Sequence, residues 1–81
     1  MASVIDPDRH ADLVTLQQTV HGLFDELEAY TGTDREGMRE RVRQAVTEKE
    51  TALRASGLVA EHGYFTASQD LKKAARQAAA D

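Results

Sequence analysis

His21, Asp25 and Glu28 are the first residues to weigh for chemistry. Their i, i+4, i+7 spacing puts an imidazole and two carboxylates on one helix face, where they could share a divalent metal. Asp6 and His10 repeat the four-residue interval. Neither set supplies the Glu-x-x-His pairs of di-iron bundles or the His-Glu-x-x-His of zinc proteases, and a polar outer face accounts for both. No metal and no other cofactor is expected. Ser56 and Ser68 lack any positioned base and read as helix-end residues. The chain has no cysteine, which removes thiolate nucleophiles, disulfides and cysteine-ligated metals. Acid, base and nucleophile nowhere cluster, so the expectation is a protein that is not an enzyme.

Cations offer a different chemistry. Arg35, Arg39 and Arg43 recur at fourfold spacing on one helix face, and Lys72, Lys73 and Arg76 group further along. Such rows can contact nucleic-acid phosphates. Glu36 and Glu40 interrupt the arginines, however, and the net charge is -4, so the face reads first as solvated and ion-paired. The five glycines are scattered and form no phosphate-binding loop. The segment Glu61-His62-Gly63-Tyr64-Phe65 mixes several residue types in an irregular stretch, the kind of place where partner contacts concentrate.

The elements that must position these residues are helical. From Leu13 to Tyr30 the large apolar residues fall at Leu13, Leu16, Val20, Leu23, Leu27 and Tyr30, a 3-4-3-4-3 spacing. That is the seam of a helix built to lie along another helix. Phe24 widens the seam and Val14 stands off it. Asp6-Pro7-Asp8 is a strong start signal, with Asp6 as cap and Pro7 at the first helical position. The first helix is therefore expected over about 7–30, with Gly32 taking a left-handed conformation beyond its end. Gly22 lies inside it and marks a bend or a close backbone approach.

Thr33 and Glu36 form a capping box, which opens a second helix over about 34–55. Its stripe is Met38, Val42, Val46 and Leu53, with Ala45, Ala52 and the stem of Lys49 filling in. Gly57 closes it in a Schellman motif, with Leu58 packing on Leu53. Residues 57–66 read as a turn or compact loop in which Leu58, Val59, Tyr64 and Phe65 plug one end of the core. Thr66 with Gln69 then caps a short third helix over about 67–79, whose face is Leu71, Ala74, Ala75 and Ala78. No strand is expected, since β-branched residues are few and nothing alternates.

These elements make one all-α domain over 1–81, an antiparallel helical hairpin of two long helices plus a short C-terminal helix. At 81 residues a single core is small, and such bundles are often completed by oligomerisation. The first helix carries eight large apolar residues against four on the second, so its face looks too wide for the chain to cover alone. Asp25, Glu26 and Glu28 crowd the end of the first helix, where the dipole disfavours anions. A tight turn would bring Arg35 and Arg39 alongside them.

No apolar run approaches the ~20 residues of a spanning helix. Met1–Ile5 lacks the basic and apolar regions of a secretory signal, Ala2 replaces the glycine that myristoylation needs, and no prenylation cysteine is present. A cytoplasmic location is expected. The leading functional expectation is a protein–protein interaction or assembly module that self-associates as a dimer or larger assembly. Its surface would be Leu16, Val20, Leu23, Phe24, Leu27 and Tyr30, helped by Tyr64 and Phe65. The alternative is a small regulator that contacts nucleic acid or its machinery through Arg35, Arg39 and Arg43, which the acidic balance argues against.

Overall fold

A computed structural model of the chain describes residues 3–80, so the readings made on Met1 and Ala2 lie outside the described residues. Among the described residues four helices follow in order: α1 (Ala11–Ala29), α2 (Arg35–Ala55), α3 (Leu58–His62) and α4 (Tyr64–Ala80). No strand occurs among the described residues. The two long helices form the antiparallel hairpin, and α4 lies against α1 over the end where α1 begins and α2 stops.

The entry to α1 is longer than a single cap. The Asp6 carboxylate accepts from the amides of Asp8 and Arg9 at 2.9 and 3.4 Å, and the Asp6 amide donates to His10 Nδ1 at 2.9 Å. Those two amides hold the Asp6 carboxyl below its usual range. Asp6 thus caps a turn over 7–10 rather than the helix itself, which starts at Ala11 instead of Pro7.

At the far end Gly32 does not adopt the left-handed conformation expected of it; among the described residues only Gly57 and Gly63 have positive φ. Tyr30 ends α1 by turning extended, at φ −71° and ψ 126°. Its hydroxyl accepts the Asp34 amide at 2.9 Å, and the hydroxyl oxygen and ring lie 2.6 and 2.7 Å from where a Cβ on Gly32 would sit. Gly32 makes room for a side chain rather than a turn. The cap of α2 is likewise Asp34 and not Thr33, with its carboxylate accepting the Gly37 amide at 3.1 Å.

Past α2 the glycine punctuation is read correctly at Gly57, whose φ is 86°. The Gly57 amide bonds to the Arg54 carbonyl at 3.2 Å, as a Schellman turn requires. The second bond of that motif runs through a side chain. Ser56 Oγ donates to the Leu53 carbonyl at 2.5 Å and accepts the Leu58 amide at 3.3 Å. Gly63, at φ 88°, is the one break between α3 and α4. The last helix consequently starts at Tyr64, and Thr66 lies inside its first turn instead of capping it. That also corrects the end plug: Leu58 is buried, but Tyr64 and Phe65 face outward, the latter 76% exposed.

The core sits at the covered end of the hairpin. Ile5, Leu13, Val14, Leu53, Leu58, Ala67, Leu71 and Ala75 form one buried cluster, with Leu53, Ala67 and Leu71 fully enclosed. Each large aliphatic there contributes roughly 1.5–3 kcal/mol by leaving water. Val14, expected outside the seam, is in this cluster because α4 and the segment before α1 wrap that flank. The Val4 amide bonds to Asp70 at 3.0 Å and Gln18 reaches the Ala75 carbonyl at 3.4 Å, which pins the segment and α1 to α4. Ala78, expected on the inner face of the last helix, is exposed. Nothing approaches Gly22 within 4 Å, so it marks no close contact.

Candidate functional site

Beyond the core cluster the hairpin is only partly covered. Leu23 and Leu27 of α1 and Met38 and Val46 of α2 are half-buried, Val42 is buried, and Phe24 is 49% exposed. Phe24, Leu27, Val42 and Val46 line one open groove, with Arg39, Arg43 and Thr47 along its α2 lip. The arginines are already engaged along their own helix: Arg39 with Glu36 at 3.0 Å and Arg43 with Glu40 at 2.7 Å. The pairing expected between Arg35 or Arg39 and the acids of α1 does not form. Neighbours at i, i+3 on α2 are simply closer than carboxylates across the turn. Asp25, Glu26 and Glu28 have no cation within 4 Å among the described residues.

Of the residues expected to bind a partner, Phe24 and Leu27 come together in this groove. Leu16 and Leu23 are half-buried and Val20 is buried. Tyr30 is spent on closing the turn to α2. Phe65 points to solvent away from the groove, and Tyr64 belongs to a second site next door.

That second site is a cleft between α1, α2 and α4, walled by Gln17, Val20, His21, Phe24, Val46, Lys49, Glu50, Tyr64, Lys72 and Arg76. Its polar side chains come from three helices. Gln17 is 1% exposed, and its amide meets His21 Nε2 at 2.9 Å. Its other amide atom, Oε1, is buried without a hydrogen-bond partner. Lys49 is also enclosed and donates to Glu50 at 3.2 Å, while the Tyr64 hydroxyl donates to the same carboxylate. Burial pushes the Glu50 carboxyl up, but the bonds from Tyr64 and Lys49 outweigh it and leave its pKa below the ordinary value. The Tyr64 phenol is raised in turn by that hydrogen bond. Arg54 lies over the Tyr64 ring, 5.7 Å from its centroid.

His21 therefore faces α4 and Gln17 rather than joining Asp25 and Glu28 as a ligand. Burial, and next the charge of Arg76, hold its ring below the ordinary histidine value; Lys72 and Lys49 act the same way and Asp25 opposes them. Among the described residues no three or more His, Asp or Glu side chains converge as metal ligands would. No helix among them is long and apolar enough to cross a membrane.

The sequence reading missed Gln17 as a buried residue, although it lies three before Val20 and four after Leu13, on the covered flank. Lys49 was legible, since it continues the Val42, Val46, Leu53 stripe at 4-3-4 spacing. The convergence of Lys72 and Arg76 on His21 depends on how α4 crosses α1, which no local pattern encodes. Comparison with family models, curated proteins and solved structures gives no match, and the functional reading rests on this geometry.

Proposed function

We propose that the chain is a non-enzymatic assembly module that pairs with a second copy of itself through the groove of Phe24, Leu27, Val42 and Val46. The observation that carries this reading is the uncovered half of the hairpin, with a phenylalanine 49% exposed over an apolar floor. Burial of that strip against its counterpart supplies the driving force.

Two further features support a second copy as the occupant. The accessible surface is 5603 Å². A compact monomer of this mass would expose about 4,800 Å². The surplus of about 800 Å² matches what one partner contributes to a standard interface. Charge also fits a second copy: the α1 end carries Asp25, Glu26 and Glu28 with no cation within 4 Å among the described residues, and the α2 lip carries Arg39 and Arg43, each exposed and holding one glutamate of its own helix. A two-fold axis through the groove sets each acidic end near the other copy's arginines.

Phe24→Asp tests the location of the contact, with Phe65→Asp as a control on an exposed aromatic outside the groove. Light scattering on the eluting species is expected to give a dimer for the parent and for Phe65→Asp, and a monomer for Phe24→Asp. A Phe24→Asp protein that keeps the parent mass would contradict the assignment.

A further inference from the structure

The cleft between α1, α2 and α4 is unlike the rest of the molecule in charge. The chain is acidic overall, yet Lys49, Lys72 and Arg76 all face His21 across this cleft. Its one carboxylate, Glu50, is already taken by Lys49 and Tyr64. Among the described residues Lys72 and Arg76 have no carboxylate within 4 Å. Lys72 and Arg76 thus line a recess whose one carboxylate is already engaged.

The second observation is Gln17. An amide so deeply buried with one polar atom unpaired is costly, and native interiors seldom leave such an atom without cause. The Gln17 amide can take either of two orientations that fill the same space. When His21 Nε2 accepts from the amide, the oxygen is left over. When the ring donates from Nε2, the oxygen is satisfied and the amide hydrogens are left to donate to an anion. The remaining walls, Val20, Phe24 and Val46, are apolar. The recess measures about 380 Å³, at the small end of the range for organic ligands.

We propose that this cleft binds a small organic acid, with its carboxylate held by Lys72 and Arg76 beside Gln17 and His21 and its hydrocarbon body against Val20, Phe24 and Val46. Arg76 supplies a planar fork suited to a carboxylate and Lys72 a point charge. An anion placed there offsets the charge of Lys72 and Arg76 and accepts the amide hydrogens that a donating Nε2 leaves free. The charged groups acting on the ring are Asp25 on α1, Lys49 on α2 and Lys72 and Arg76 on α4, and Glu50 and Tyr64 stand on the wall of the same cleft. The site shares Phe24 and Val46 with the self-association groove but takes the two cations that hold the anion, Lys72 and Arg76, from α4, so the two readings fail separately.

Titration of isotope-labelled protein with 3-phenylpropionate, followed by NMR, tests the proposal. Saturable shifts of the Gln17 side-chain amide and the His21 ring are expected. The uncharged analogue 3-phenylpropanol and inorganic phosphate should each bind at least about tenfold more weakly, a loss of about 1.4 kcal/mol. The double variant Lys72→Gln/Arg76→Gln changes two side chains at the solvent edge, and its own spectrum reports whether it is folded. It should weaken 3-phenylpropionate by about tenfold or more. Absence of saturable shifts, equal binding of the alcohol or of phosphate, or full binding by the folded double variant would each overturn the site.

Discussion

The Ser56 hydroxyl closes α2 by standing between two backbone groups that a Schellman turn would ordinarily join directly. It gives a hydrogen bond to Leu53 and takes one from Leu58, and both of those residues are buried in the core cluster. Ser56→Ala leaves a buried carbonyl and an amide with poorer partners. A loss of about 1 kcal/mol in unfolding free energy is expected by chemical denaturation. No measurable change would mean that the direct bond forms in its place. The relay could not be seen in the sequence, where Ser56 is one more polar residue before a glycine. Leu53 and Leu58, by contrast, were legible as a contacting pair, because a C′ glycine dictates which residues flank it.

At the scale of elements, two glycines in similar surroundings do opposite things. Gly22 is helical, exposed and met by nothing within 4 Å, so its only effect is the entropy of an unbranched backbone. Gly63 holds φ 88° and ψ 152°, a region in which a Cβ is strained. Gly22→Ala is expected to stabilise the fold by up to about 1 kcal/mol, and Gly63→Ala to destabilise it by about 1–3 kcal/mol. Thermal melts of the two variants should move in opposite directions; a rise for both would remove Gly63 as the break between α3 and α4. The count and order of long helices followed from hydrophobic spacing, which local sequence carries. Helix ends followed less well. Tyr30 folding back on Asp34, and Asp34 taking the cap from Thr33, are choices among nearby polar groups that cost little to exchange. The start of α4 at Tyr64 was obscured because Thr66 and Gln69 imitate a cap.

Over the whole molecule, α4 divides the face of α1 into a sealed part and an open part. Leu13, Val14, Gln17 and Val20 are buried along the first half, while Leu23, Phe24 and Leu27 remain partly in water along the second. The chain is extended as a result, with principal dimensions of 43, 27 and 18 Å and a radius of gyration of 13.6 Å. About 12 Å is usual for a compact domain of this length. Excess apolar face on the first helix was readable from composition; which half would stay uncovered was not, because that is set by where α4 crosses. The proposed pairing of two hairpins through the open half would account for the exposed Phe24 and the surplus surface together. Sedimentation equilibrium over a wide concentration range tests this most directly. The account expects a species of twice the 8.9 kDa chain mass that dissociates on dilution, and a single 8.9 kDa species at every concentration would contradict it.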